Sequence, residues 1–244
     1  MTSRRLDEAL VSRGLVQSRA RARDAVLRGS VRVNGEAARK PSQMIADGDV
    51  LALADDSAHY VSRAALKLLC SFEAFPIDPK GKSCVDLGAS TGGFTQVLLE
   101  RGARHVTAID VGHGQMVPAL AQDPRVTLKE GLNARNVTAG DVPEDVALIV
   151  SDVSFISLRV ALPPLLALVR PGTELVALIK PQFEVGRQGV GKGGVVRDTL
   201  LHAETCTAIS EFLVASGWTV LGLVPSPVEG GDGNREFLVA ARKD

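Results

Sequence analysis

Cysteine is scarce in this chain of 244 residues, and no apolar run is long. The three cysteines, Cys70, Cys84 and Cys206, are scattered and odd in number, with no CxxC pair and no histidine at metal-ligand spacing. That pattern argues against a disulfide framework and against a zinc site, and no other metal is expected. The longest apolar stretches, such as VALPPLLALV, fall short of the roughly 20 residues a membrane-spanning helix needs, and prolines interrupt that one. The opening MTSRRLDEAL lacks the apolar segment of a signal peptide. A soluble protein of the reducing cytoplasm, with no membrane partner, is the expectation.

Net charge is also missing, since 28 Lys and Arg balance 28 Asp and Glu. The balance hides an asymmetry: residues 1–40 hold ten Lys or Arg against four Asp or Glu. A basic unit therefore precedes a neutral-to-acidic body, which is either a solvated helix face or a surface for a polyanion such as RNA. With 45% hydrophobic residues the chain can bury one core of about 150–200 residues and a small companion.

In the basic unit, RLDEALVSRG puts Leu6, Ala9 and Leu10 on one helical face and stops at Gly14. Ser18 is placed to cap a second helix, with Ala22, Ala25 and Val26 inward and Arg19, Arg23 and Arg28 outward. VRVNGE then alternates like a strand into an Asn-Gly turn, and VLAL reads as a second short strand. Taken together, RLDEALVSRG, SRARARDAVLRGSVRVNG and IADGDVL resemble the S4-type RNA-binding module. The resemblance implies an arginine-lined helix on RNA phosphates, contacts that orient without reading sequence.

These segments set the domain boundaries at residues 1–54, a linker at 55–60 and a larger domain at 61–244. The larger domain opens with VSRAALKLLCSFEAF, a helix expected to turn Ala65, Leu68, Leu69 and Phe72 inward; Lys67 among them reads, taken alone, as a snorkelling surface lysine. Seven apolar segments come next: CVDLG, HVTAID, VTLKEG, VALIVSDV, TELVALIK, WTVLGLV and EFLVAAR. Their continuous apolar character, interleaved with helical stretches, predicts an α/β doubly wound sheet covered on both faces. Ligands of such sheets bind beyond the carboxyl ends of the strands.

The residues just beyond those strand ends carry chemistry. DLGASTGGFTQVLLE is a strand-to-helix turn in which Gly88, Gly92 and Gly93 let backbone approach a ligand at a helix N-terminus. Its spacing is a poor match to the dinucleotide fingerprint GxGxxG. Asp110 ends the second strand 24 residues after Asp86, where a carboxylate accepts hydrogen bonds from both ribose hydroxyls. Asp152 comes after the fourth strand, Lys180 after the fifth, and Glu236 starts the last.

These features resemble class I S-adenosylmethionine-dependent methyltransferases, whose Rossmann-like seven-stranded sheet inserts its last strand antiparallel beside the fifth. More specifically, VSRAALKL, VDLGASTGGFT, SDVSFISL, LIKPQFEVGR, VGKGGVVRD and GNREFL, in that order behind an S4-like segment, resemble the haemolysin-like TlyA family of ribosomal RNA 2′-O-methyltransferases, relatives of the FtsJ type. The family implies S-adenosyl-L-methionine as cofactor, ribosomal RNA or ribosomal subunits as partner, and cytidine as target. Its catalytic Lys-Asp-Lys-Glu tetrad falls on Lys67, Asp152, Lys180 and Glu236. Cofactor contacts are expected from Asp86, Gly88, Ala89, Ser90, Gly92, Phe94, Asp110, Asn133 and Asp152. RNA contacts are expected from Arg4, Arg19, Arg23, Arg28, Arg63, Arg187 and Lys192. Ala64-Ala65 departs from the glycine that many relatives carry there.

Methyl transfer to a ribose hydroxyl is an in-line displacement by a poor nucleophile, so a base helps. An ordinary lysine keeps its proton at neutral pH. Desolvation and a neighbouring cation favour the neutral amine, whereas nearby carboxylates favour the charged one. The segment from Glu184 to Asp198, rich in glycine and carrying Arg187, Lys192 and Arg197, reads as a mobile loop that closes over the site. His202 reads as a packing residue and Trp218 as core. Two rival readings are a non-catalytic RNA-binding or ribosome-assembly factor, favoured had a tetrad member been missing, and a cytolysin, disfavoured by the lack of membrane-length segments.

Overall fold

The computed structural model describes residues 3–16, 18–27, 30–53, 59–230 and 233–244, with side chains at 24, 27 and 187 outside the description. The chain divides into two compact units, Met1–Tyr60 and Val61–Asp244. Of the segment 55–60 read as a linker, residues 55–58 lie outside the described residues, as does Arg28.

In the first unit, β1 (Ser3–Arg5) leads into α1 (Leu6–Ser12), which ends through Gly14 at φ 70°. The second helix, α2 (Arg19–Leu27), starts with the Arg21 N–H donating to Ser18 Oγ at 3.3 Å, the expected cap. Leu6, Ala9 and Leu10 pack on Ala22, Ala25 and Val26 in one small core. Strands β2 (Val31–Val33) and β3 (Glu36–Ala37) form a hairpin through Asn34 and Gly35, both at positive φ, as an Asn-Gly turn of this type requires. Next, β4 (Met44–Ala46) pairs with β1, and β5 (Leu51–Leu53) pairs with β2. Asp7 is fully buried and accepts from Arg5 at 2.9 Å and Arg19 at 3.3 Å. The Arg5 hydrogen bond, with help from Arg19, holds its carboxyl down to about 2.

The second unit opens with α3 (Ala64–Ala74) and carries seven strands: β6 (Ser83–Leu87), β7 (His105–Ile109), β8 (Val126–Lys129), β9 (Val146–Ser151), β10 (Glu174–Ile179), β11 (Trp218–Pro225) and β12 (Phe237–Lys243). Between them lie α4 (Gly93–Glu100), α5 (Pro118–Ala121), α6 (Leu158–Ala161), α7 (Pro163–Leu168), α8 (Pro181–Glu184), α9 (Gly186–Gly189) and α10 (Thr199–Ala215). All seven expected strands form one sheet in the order β11-β12-β10-β9-β6-β7-β8, with β12 antiparallel to both neighbours. Every residue of β6 and of β10 is buried, which is why these segments read as unbroken apolar runs. Trp218 is buried in the same core, and His202 packs edge-on against Phe237 while its Nε2 pairs with the Val196 carbonyl.

The buried side of α3 differs from the expected one. It consists of Ala65, Lys67, Leu68 and Ser71, whereas Leu69 and Phe72 are only half-buried. The helix is covered both by α4 and by β12, so its buried stripe is turned from the one that apolar residues alone define. Lys67 does not snorkel; it is 8% exposed.

Candidate active site

Strand register assembles the cleft. Leu87 pairs with both Ile109 and Ser151, so Gly88, Asp110 and Asp152 emerge side by side at the carboxyl edge. Ile179 pairs with Phe237 across the antiparallel seam, which brings Lys180 and Glu236 to that same edge. A parallel seventh strand would have carried Glu236 to the opposite end of the sheet.

Two ion pairs form there. Lys67 Nζ lies 2.6 Å from Glu236 Oε2, and Lys180 Nζ lies 2.6 Å from Asp152 Oδ1. Lys67 also stands 4.0 Å from Asp152 Oδ2, linking the pairs into one cluster. The Lys180–Asp152 contact is close but poorly aligned as a hydrogen bond. The better-directed bond from Lys180 goes to Ser154 Oγ at 2.7 Å. Lys67, Lys180 and Glu236 are each less than a tenth exposed, so these charges meet with little water between them.

Two cavities open beside the cluster. The larger, about 660 Å³, is lined by Asp110, Asn133, Asp152 and the apolar Leu132, Val153 and Ile156. The smaller, about 350 Å³, is lined by Arg63, Lys67, Ala89, Phe94 and Glu229 among others. Gly88, Ser90 and Asp152 border both. Gly88 holds φ 89°, and a Cβ there would sit 3.0 Å from the backbone of Asp152 and Val153. Bare backbone at this junction is therefore a steric requirement. A Cβ at Gly93 would run into Ser62 Oγ and come within 3.3 Å of Ala64 Cβ, so the small Ala64 is what lets α3 lie on the start of α4. Asp110 accepts from the N–H groups of Ser90 and Gly112, both at 2.7 Å, which shapes the mouth of the larger cavity.

Asp86 stands differently from its neighbours. It lines neither cavity and is fully buried, accepting from Thr95 Oγ1 at 2.7 Å, while its other oxygen has no partner among the described residues. Its contribution is to seat α4 beneath the glycine turn, and Gly92 likewise faces Leu120 and Met116. Burial, aided by the nearby Asp152 and Asp110 charges, pushes the Asp86 carboxyl up to about 7, partly offset by the Thr95 hydrogen bond. From the ordinary 3.8 to about 7 the folded state holds a proton that the unfolded state has lost. This contribution to stability is thus full below the lower value and lost as pH rises through the higher one. Asp86→Asn is expected to flatten that decline relative to the wild type in urea unfolding between about pH 4 and pH 8; superimposable profiles would sink it.

Of the expected RNA residues, Arg63 lines the smaller cavity. Arg19 is exposed yet paired with Asp7 and Glu8, Arg4 bonds Ser12, and Arg23 is exposed. Lys192 is exposed in a short turn, and the Arg187 side chain lies outside the described residues. Hydrogen bonds anchor the segment from Glu184 to Asp198 near its two ends. Val196 N–H donates to Asn234 Oδ1, Asn234 Nδ2 donates to the Gly194 carbonyl, both at 2.9 Å, and Glu184 caps α6 through Ser157 and Leu158.

Sequence reasoning missed Ser154, Asn234 and Phe155. Ser154 was detectable only as the polar residue two positions beyond Asp152. Phe155 is 90% exposed at φ 64°, beside the larger cavity and 5.3 Å from the Phe183 ring. A non-glycine residue in that region is uncommon and offers an aromatic face to whatever enters.

The FtsJ-like methyltransferase family model matches residues 60–243, and the S4 domain model matches residues 4–51. The chain belongs to the FtsJ-like methyltransferase family. It is 45% identical over 239 residues to the 16S/23S rRNA (cytidine-2′-O)-methyltransferase TlyA of Mycobacterium tuberculosis, covering 98% of this chain and 89% of that one. It is 40% identical to Hemolysin A of Brachyspira hyodysenteriae, covering 96% and 98% of the two chains. A solved structure of a Streptococcus thermophilus protein named as a hemolysin superposes with a TM-score of 0.78 at 41% identity, covering 100% of this chain and 89% of that one. The seven-stranded mixed sheet and the cleft at its carboxyl edge are thus those of an FtsJ-like methyltransferase behind an S4 domain.

Proposed function

We propose that this protein transfers a methyl group from S-adenosylmethionine to the ribose 2′-hydroxyl of cytidine in ribosomal RNA, working in the cytoplasm. The observation that carries the reading is the cluster of Lys67, Asp152, Lys180 and Glu236 at the junction of two cavities. The name of the Mycobacterium tuberculosis relative supports the reaction and its target.

The cavities fit an S-adenosylmethionine molecule by shape and charge. A nucleoside suits the larger one, with Asp110 for ribose hydroxyls and Asn133 beside the apolar walls. The zwitterionic amino-acid tail suits the passage along Gly88, Ala89 and Ser90, with its ammonium toward the Asp152 carboxylate. Bound there, the cofactor supplies an electrophilic methyl group on a sulfonium. Lys67 and Glu236 fix the incoming ribose, and Asp152 and Ser154 hold Lys180 in place. In its neutral amine form, reached when the ion pair with Asp152 gives up one proton to water, Lys180 Nζ takes the proton from the 2′-hydroxyl as the new bond forms. Holding hydroxyl and methyl in line contributes most of the acceleration. The exposed Arg23 face of α2 supports phosphate contact by the S4 unit, which orients RNA without reading sequence.

The test is ribose-methylation mapping of ribosomal RNA from cells with and without the gene, alongside transfer of labelled methyl groups to isolated subunits. A ribose methyl lost with the gene and restored in vitro is expected. S-adenosylmethionine binding without any transfer would favour the assembly-factor reading. Among the described residues no helix is long and apolar enough to cross a membrane; insertion of the purified protein into lipid vesicles would favour the pore-forming reading.

A further inference from the structure

A third cavity, of about 330 Å³, is lined by Arg197, Thr199, His202, Glu229 and Arg235. We propose that it binds a backbone phosphate of the substrate RNA, one nucleotide or so from the target ribose. The inference deepens the methyltransferase reading and rests on it.

Three observations carry it. First, Arg197 and Arg235 come from segments 38 residues apart, and a fully buried asparagine holds those segments together: Asn234 takes the Val196 N–H on one end of its amide and donates to the Gly194 carbonyl with the other. Each arginine is the residue immediately after this cross-link, so the bridge sets the two guanidinium groups at one cavity. A buried amide with both ends satisfied makes a rigid joint. His202, itself 5% exposed, adds a second tie through the Val196 carbonyl. Second, no ion pair or hydrogen bond engages either guanidinium among the described residues, although most other arginines here have carboxylate or carbonyl partners. Two like charges at one cavity repel, and an anion relieves that repulsion. Planar guanidinium forks match phosphate oxygens in pairs.

Third, the position relative to the chemistry is right. Arg235 directly precedes Glu236, the exposed arginine and buried glutamate alternating as the chain enters β12. Glu229 borders both this cavity and the smaller cavity beside Lys67, so the two share a wall. Glu229 is also the one carboxylate among the residues lining the phosphate cavity, and it lies on the side toward the cleft.

Binding of in vitro transcribed, unmodified ribosomal RNA tests this, read by filter retention over a salt series for wild type, Arg197→Gln, Arg235→Gln, the double variant and the double lysine variant. Each lost phosphate contact is expected to reduce the slope of log affinity against log salt by about 0.7 to 0.9. The double glutamine variant should therefore lose about 1.5 units of slope and on the order of tenfold in affinity. Its S-adenosylmethionine affinity should stay at the wild-type value, and the double lysine variant should keep the slope. Unchanged slope in the double glutamine variant overturns the phosphate site, as does a matching loss of cofactor affinity. Because retention does not depend on turnover, a wild type that binds RNA but transfers no methyl refutes the function and leaves this test standing. A wild type that retains no RNA overturns both.

Discussion

Replacing Lys180 by alanine is expected to lower kcat for methyl transfer by about a thousandfold while changing S-adenosylmethionine affinity by no more than about threefold. The size reflects the group that is removed, the one nearest to the reacting hydroxyl in the proposed arrangement, held by Asp152 at 2.6 Å and Ser154 at 2.7 Å. Alanine alone cannot say whether the proton acceptor or the positive charge was lost. Lys180→Arg separates them, since a guanidinium keeps charge and hydrogen bonds but does not give up its proton in a protein. Arginine should be about as inactive as alanine. An arginine variant within tenfold of wild type would show that Lys180 acts as a fixed charge, and the base would have to be sought elsewhere. Ser154→Ala tests the support of Lys180 and should cost far less, on the order of tenfold in kcat, because Asp152 still holds the amine.

Much of this arrangement was legible in the chain because strand ends are legible. Apolar runs such as ELVALI are buried on both faces, so the polar residue ending each run marks the sheet edge, and Gly88, Asp110, Asp152 and Lys180 were found that way. The antiparallel last strand came from family resemblance alone; periodicity carries no direction. The features that stayed hidden depend on partners far away in sequence. Lys67 looks like a surface lysine until Glu236, 169 residues later, is seen to cover it. Asn234 looks like a turn residue until it joins Gly194 and Val196. Asp86 sits in a ligand-binding motif, and only the fold shows it turned under the loop to Thr95. The short strands β1, β3 and β4, at two or three residues each, lack a full period of alternation. The glycine-rich segment after Glu184 has the composition of a loop, and composition does not encode the hydrogen bonds that anchor its two ends.

Lys67 and Glu236 should show that stability and activity separate in this site. Lys67→Met leaves Glu236, 4% exposed, without the cation 2.6 Å away that pairs with it, and is expected to destabilise the fold by about 3–5 kcal/mol. Glu236→Leu should cost roughly half as much, because Asp152 at 4.0 Å remains to offset the Lys67 charge. The double variant, with an apolar pair of similar volume, should recover to within about 2 kcal/mol of wild type, since desolvating the ion pair consumed much of its Coulomb gain. All three should be inactive. Urea unfolding of the four proteins at one pH gives the coupling energy directly. A double variant as unstable as the sum of the singles would mean that the two side chains do not act as a pair. A stable double variant that still methylates RNA would remove Lys67 and Glu236 from the chemistry. A fold that is content without the charges, joined to a reaction that is lost without them, would assign this buried pair to holding the ribose.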